Sequence, residues 1–159
     1  IETVTSLEHA EGALRATDKA DKPVWLAIST DDFDGTLFRS GEILVDVGPI
    51  VANHRVDAVL LHCSRPEVVG EGLEVLKTFG KPFGAYANGF TKISDGFKED
   101  FPTVDALTER TDLGPEAYAA FAMGWVAQGA TIVGGCCEVG PDPIAELGSQ
   151  VREAGHIIV

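Results

Sequence analysis

Four short apolar runs recur along the chain, at Val24 to Ser29, Ala58 to His62, Phe83 to Tyr86 and Thr131 to Gly134. Each is rich in Val, Ile, Leu or aromatic residues and none alternates strictly, which predicts strands covered on both faces. Between them the apolar positions take a helical spacing. Ser6 to Ala16 puts Leu7, Ala10 and Leu14 on one face behind a Ser6 cap. Glu42 to Asn53 carries Ile43, Val47, Ile50 and Val51, although Gly48-Pro49 weakens its middle. Pro66 to Phe79 opens on proline and presents Val69, Leu73 and Leu76. Pro115 to Gln128 has the stripe Tyr118, Phe121, Ala122, Trp125 and Val126, closed by Gly129. Pro143 to Ala154 turns Ile144, Leu147 and Val151 inward.

This alternation predicts βα units on a parallel sheet, an α/β chain. Four units with a leading fragment at residues 1–3 amount to half of an eight-stranded barrel, which takes about 250 residues. An open parallel sheet is the alternative, but the glycine fingerprint of a dinucleotide site is missing. Loops at Thr30 to Gly41 and Ala87 to Gly114 follow strand ends, and the second is long enough to mark function or mobility.

Chemistry concentrates where the strands stop. The chain has three cysteines. Cys63 ends the run from Val56, and Cys136-Cys137 end the run from Thr131. Zinc takes thiolates at about 2.3 Å, and a catalytic zinc keeps three protein ligands with the fourth position open. Adjacent residues on a regular strand point to opposite faces, so both Cys136 and Cys137 reach one metal only if the chain bends, and Gly134-Gly135 offers the freedom for that. The competing readings are plain ones: Cys63 alone suits a small buried hydrophobe, and the vicinal pair suits a disulfide. A three-thiolate site favours alkyl transfer to a thiol over hydrolysis, because a coordinated thiol is deprotonated.

Charge narrows the partners. The net charge of −13, from 25 acidic against 12 basic residues, leaves no basic footprint for nucleic acid or an anionic membrane surface. An odd cysteine count suits reduced thiols. No apolar run approaches the roughly 20 residues that span a bilayer, and the start lacks the plan of a signal peptide, so a soluble, cytoplasmic protein is expected. The chain opens on Ile1 rather than Met, as a processed chain or a fragment would.

Gly134-Gly135-Cys136-Cys137, followed by Gly140-Pro141-Asp142-Pro143-Ile144, resembles the GGCC signature of the homocysteine S-methyltransferases. That family includes the betaine-dependent enzymes and the homocysteine-binding domain of cobalamin-dependent methionine synthase. His62-Cys63-Ser64 with Pro66 is similar to its Asn-Cys-Ser segment, and Tyr86-Ala87-Asn88-Gly89 to its Tyr-Pro-Asn loop. Trp125 with Gly129-Ala130 resembles the helix leading into the last strand. Glu2-Thr3, with Glu11 further on, looks like its Glu-Thr segment at the end of strand four.

The resemblance implies a (β/α)₈ TIM barrel of which residues 1–159 are the C-terminal half, from the end of strand four through strand eight. It implies methyl transfer from an onium or tetrahydrofolate-type donor to the thiol of homocysteine, giving methionine. It also implies Zn²⁺ held by Cys63, Cys136 and Cys137, with Glu2 holding the substrate's amino group and Asn88 lining the pocket beside the metal. The family's early strands, with their Asp-Gly-Gly loop, have no counterpart here. A half-barrel leaves two open sheet edges, so a missing half-barrel, as part of a longer precursor or as a partner chain, is expected.

Two positions depart from the family. His62 replaces its Asn and is expected to face away from the metal rather than serve as an extra ligand or hydrogen-bond donor. Glu138 replaces a small residue and is expected in solvent. His9, His54 and His156 read as solvated or packing residues, Asp31, Asp32 and Asp34 as a solvated loop, and Trp25 and Trp125 as packing residues. Tyr86 fits either the core or a hydrogen bond into the pocket. The rival functions are a barrel methyltransferase for another thiol or selenol, a non-catalytic subunit that completes a barrel or stores metal, and a redox role for the vicinal thiols.

Overall fold

A computed structural model describes residues 1–93, 103 and 106–159. Four parallel strands, β1 (Trp25–Ile28), β2 (Ala58–His62), β3 (Phe83–Ala87) and β4 (Ile132–Gly135), lie side by side in chain order. The predicted strands are all present, within a residue or so at each end. Residues 1–5 run alongside β1: Ala27 N–H donates to Ile1 O, Val4 N–H to Ala27 O and Ser29 N–H to Val4 O. The leading fragment thus extends the sheet beyond β1, with Val4 bridged to Ile28.

The helices are α1 (Leu7–Thr17), α2 (Gly48–Asn53), α3 (Pro66–Lys77), α4 (Pro115–Ala127) and α5 (Pro141–Glu153). Ser6 caps α1 by accepting from His9 N–H at 3.1 Å, and α3, α4 and α5 each open on a proline whose missing N–H costs nothing in the first turn. Two helices differ from expectation. The segment predicted as one helix from Glu42 is a 3₁₀ turn, Leu44–Val47, followed by the short α2, because Gly48-Pro49 interrupts the hydrogen-bond ladder. α5 begins at Pro141, the first of two prolines within its opening turn, rather than at Pro143.

Register sorts the sheet into two unlike faces. Strand pairing sets Trp25 beside Ala58, Leu60 beside Gly84, His62 beside Tyr86 and Tyr86 beside Gly134. The alternate positions, Leu26, Ile28, Val59, Leu61, Ala85 and Ala87, are buried in the main core with Val69, Leu73 and Leu76 of α3 and Tyr118, Ala122 and Trp125 of α4. Each such burial of a Val or Leu side chain contributes about 1.5–3 kcal/mol. The other face has no helix on it among the described residues. Trp25, expected to pack, is 47% exposed there, and Glu2, Trp25, Leu60, Tyr86 and Gly134 line a cleft of about 300 Å³. The expectation of strands covered on both faces holds for β2, whose five residues are all buried, and fails for Trp25 and for β4, whose residues are partly exposed throughout. Trp125 packs as expected, edge-on to Tyr118 at 6.0 Å.

The loop from Thr30 to Gly41 folds back on itself through antiparallel bridges Thr30–Phe38 and Leu37–Ile43. Of the predicted loop from Ala87 to Gly114, the described part is tied by a bridge between Phe90 and Glu109; residues 94–102, 104 and 105 lie outside the described residues. Among the described residues, no helix is long and apolar enough to cross a membrane.

Candidate metal centre

Parallel strands bring their C-terminal ends to one edge of the sheet, and all three cysteines lie there. β2 stops at His62, and Cys63 leaves the strand with a positive φ of 49°. That conformation is strained for a residue with a Cβ, and two side chains hold it. Arg39 Nη2 and Asn88 Nδ2 both donate to the Cys63 carbonyl, at 2.7 and 2.9 Å. The Cys63 N–H is taken by Tyr86 O at 3.2 Å.

Cys136 and Cys137 follow β4 in a tight turn. Val139 N–H donates to Cys136 O at 3.1 Å, and Glu138 carries the left-handed conformation at φ 61°. Neither Gly134 nor Gly135 has a positive φ, and the left-handed residue of this turn, Glu138, follows both cysteines. Gly135 matters instead for closeness, since a Cβ there would lie 2.4 Å from Val139 Cγ1. The turn is stitched to the end of β3, with Cys136 N–H donating to Ala87 O at 2.9 Å and Gly89 N–H to Cys137 O at 2.8 Å. From beneath, the Tyr118 hydroxyl donates to Gly134 O at 2.6 Å and accepts from Ala87 N–H at 3.1 Å.

The result is a cluster in which the three sulfur atoms lie within 4.8 Å of one another. The Cys136 and Cys137 sulfurs are 3.6 Å apart. Sulfurs bound tetrahedrally at the usual zinc–thiolate distance are about 3.8 Å apart, and the Cys136–Cys137 pair is close to that spacing. Cys63 and Cys136 are half-buried, Cys137 is exposed, and all three are free thiols. Their protons are shared unequally. Donation from the Cys136 thiol, the largest influence, lowers the Cys63 pKa, helped by Asn88 and the Arg39 charge and opposed by burial. The same sharing, with burial, raises Cys136, and burial chiefly raises Cys137. A thiolate at Cys63 beside two retained protons is the state a divalent cation would discharge, since metal binding to thiols releases protons.

The other expected residues take different places. Asn88 is buried against the cluster, its Nδ2 3.8 Å from Cys63 Sγ and its Oδ1 accepting from Phe90 N–H at 3.1 Å. Glu2 lies at the cleft, accepting from the Tyr86 hydroxyl at 3.0 Å. Burial, then Glu2, pushes the Tyr86 hydroxyl pKa up, so it stays a donor. Glu11 turns away to Arg15 and His54. Glu138 is exposed, as expected.

His62 does not face away. Its Nε2 lies 3.1 Å from Cys136 Sγ, because strand pairing sets His62 in line with Tyr86 and Gly134, two residues before Cys136; the positive φ at Cys63 interrupts the alternation that would have turned that cysteine to the opposite face. One further expectation fails. Asp32 is buried rather than solvated, with Oδ2 accepting from Ile93 N–H at 2.7 Å. His54 packs between Glu11 and Asp18. Asp31 and Asp34 instead build the loop through bonds from Phe33 N–H and Thr36 N–H, and His9 and His156 are exposed.

Sequence reasoning passed over Arg39, Ser64 and the hydroxyl of Tyr118. Ser64 is fully buried and links the ends of β1 and β2 by accepting from Thr30 N–H at 2.9 Å and donating to His62 O at 3.1 Å. Tyr118 carried a signal, since a tyrosine in an otherwise apolar stripe needs a partner for its hydroxyl. Arg39, in a polar loop, carried none.

Known proteins agree with this arrangement. The family model for homocysteine S-methyltransferase matches residues 1–151. Homocysteine S-methyltransferase 1 of Zea mays is 29% identical over 143 residues, taking in 87% of this chain and 41% of that relative. Selenocysteine Se-methyltransferase of Brassica oleracea var. italica is 27% identical over 150 residues, covering 92% and 41%. The metallated form of the homocysteine methyltransferase MmuM from Escherichia coli matches in fold with a TM-score of 0.67 at 21% identity, over 92% of this chain and 42% of that one. The chain therefore spans about two fifths of the length of these relatives. With a family match that runs from the first residue through most of the last helix, the chain belongs to the homocysteine S-methyltransferase family.

Proposed function

We propose that residues 1–159 are the C-terminal half of a homocysteine-binding (β/α)₈ barrel and carry the thiol-activating centre of a zinc-dependent homocysteine S-methyltransferase. The observation that carries this reading is the convergence of three sulfurs within 4.8 Å at the C-terminal edge of a parallel sheet, the edge where barrel enzymes do chemistry. The half-barrel is supported by the sheet itself. One face lacks helices among the described residues, and β4 pairs only with β3 there. The missing half, in the same polypeptide or a partner chain, would cover that face and edge.

Cys63, Cys136 and Cys137 would hold Zn²⁺. Zinc held by three thiolates, with its fourth position open, supplies Lewis acidity that makes an incoming thiol a thiolate at neutral pH. The chain's own residues position the rest. The Glu2 carboxylate, oriented by Tyr86, is suited to pair with the ammonium of homocysteine. Asn88 fixes the first ligand and walls the pocket. The methyl group leaves an onium or tetrahydrofolate-type donor without its bonding electron pair, the thiol proton goes to solvent, and methionine and the demethylated donor result. Free thiols in this number suit a reducing compartment such as the cytoplasm.

The test is zinc analysis of the reduced full chain followed by a methyl-transfer assay with homocysteine and an S-methyl onium donor. One zinc per centre, lost with activity in Cys63→Ala, Cys136→Ala and Cys137→Ala, is expected. Zinc bound without methyl transfer would favour a metal-storing or barrel-completing chain instead, and a folded, reduced, complete barrel that takes up no zinc would overturn the proposal. A selenol acceptor is the second reading, favoured by the likeness to a selenocysteine Se-methyltransferase. Comparing kcat/KM for homocysteine and selenocysteine separates the two.

A further inference from the structure

We infer that His62 is held in its Nε2–H tautomer and donates that hydrogen to the sulfur of Cys136, making it a positioning residue for the thiolate set. Resting on the zinc reading above only for its consequence, the inference stands on the hydrogen-bond geometry of the ring. His62 is 6% exposed at the end of β2. Its Nδ1 lies 3.1 Å from the backbone nitrogen of Thr3 and 3.3 Å from Thr3 Oγ1. A backbone N–H can only donate, so Nδ1 must be the acceptor and carries no hydrogen. The neutral imidazole then has its one hydrogen on Nε2, which lies 3.1 Å from Cys136 Sγ. The opposite polarity, with a Cys136 S–H donating to Nε2, would require a ring with no hydrogen at either nitrogen.

Three further features hold this arrangement. Thr3 adopts a φ of 59°, an outlier for a β-branched residue, and in that conformation both its N–H and its hydroxyl lie within reach of Nδ1. The ring rests against Tyr86, centroid to centroid 4.5 Å at 47°. The His62 carbonyl is fixed by the hydroxyls of Ser29 and Ser64, at 2.9 and 3.1 Å. A ring so fixed cannot turn its Nε2–H elsewhere.

The consequence lies in the donor strength of one ligand. A hydrogen bond to a thiolate draws electron density off the sulfur, so Cys136 would be the weakest electron donor of the three and the least prone to alkylation by a methyl donor. Hydrogen bonds of this kind orient ligands and tune the metal, and losing one typically lowers metal affinity about 10–100-fold.

The first test needs no substitution in the protein observed. With ¹⁵N-labelled histidine in the reduced full chain, the His62 ring should show an unprotonated Nδ1 and a protonated Nε2, its signals assigned by their loss in His62→Gln. A protonated Nδ1 overturns the inference whether or not metal binds. The second test uses Co²⁺ in place of zinc. His62→Phe, which keeps the ring size without a donor, should move the thiolate-to-cobalt charge-transfer band to lower energy and weaken Zn²⁺ about 10–100-fold in chelator competition. His62→Gln, whose amide can donate, should restore the band. A band unmoved in His62→Phe overturns the inference. A protein that binds no metal yet shows the Nε2–H tautomer refutes the zinc reading and supports the hydrogen bond; one that binds metal with a protonated Nδ1 does the reverse.

Discussion

Asn88 holds Cys63 from two sides: its amide donates to the Cys63 carbonyl at 2.9 Å and lies 3.8 Å from the Cys63 sulfur. The residue that fixes the strained backbone of the first cysteine is therefore also the one that faces its thiol. Asn88→Ala would leave the carbonyl with Arg39 alone and strip a polar neighbour from the sulfur. Losing one partner of a buried hydrogen bond costs about 1–3 kcal/mol, so the unfolding midpoint should fall by that equivalent and zinc retention should weaken. Chemical denaturation and chelator competition read the two effects. Unchanged zinc affinity would mean that Asn88 is structural only.

Gly135 answers to a steric limit. A Cβ at this position would come 2.4 Å from Val139 Cγ1 and 3.1 Å from Ile144 Cδ1, so the turn carrying both cysteines closes over a bare backbone. Gly135→Ala should destabilise by about 1–3 kcal/mol, the usual cost of overpacking, and should displace Cys136 and Cys137 from Cys63. Paired substitution Gly135→Ala with Val139→Ala removes the nearest contact but keeps the Cβ at 139, 2.7 Å from the added methyl, so it should recover only part of the stability. Full recovery would mean that the turn backbone shifts to relieve the rest. Thermal unfolding of the three proteins measures this.

These local devices explain what could be foreseen. The strands were legible because four apolar runs stop where turn residues begin, and α4 because its stripe at Tyr118, Ala122 and Trp125 keeps helical spacing over two turns. The cysteines were legible as a set because parallel strands end at a common edge. That His62 and Cys63 both serve one cluster was not, because alternation along a strand puts neighbours on opposite faces and only the positive φ at Cys63 suspends that rule. Nothing in a cysteine predicts such a φ; it is imposed by Arg39 and Asn88, far away in sequence. Likewise, nothing in a glutamate foretells the left-handed conformation that Glu138 takes after the two cysteines.

The pairing of His54 with two carboxylates ties the end of α2 to α1. The hydrogen bond to Asp18 is the main cause of its raised pKa, with Glu11 adding and burial opposing. The ring stays charged to higher pH in the folded protein than in the unfolded one, where it titrates at about 6.5. Its stabilising contribution is therefore complete below that value and is lost as pH rises through the folded pKa. Urea midpoints measured from about pH 6 to about pH 9 should fall more steeply for the parent than for His54→Gln. Parallel slopes would show that the contact contributes nothing.

Tyr118 offers the sharpest separation of stability from chemistry. Its hydroxyl joins β3 to β4 just behind the cysteine turn, accepting from Ala87 N–H and donating to Gly134 O. The ring itself is fully buried and stays so in Tyr118→Phe, so no cavity forms. What is lost is the partner of a buried N–H, at about 1–3 kcal/mol. The hydroxyl touches none of the three sulfurs through a hydrogen bond, so zinc stoichiometry should stay at the parent value while the midpoint of unfolding falls. Loss of zinc in a folded Tyr118→Phe protein would instead mean that the β3–β4 junction sets the spacing of the sulfurs, and that the spacing itself limits metal binding.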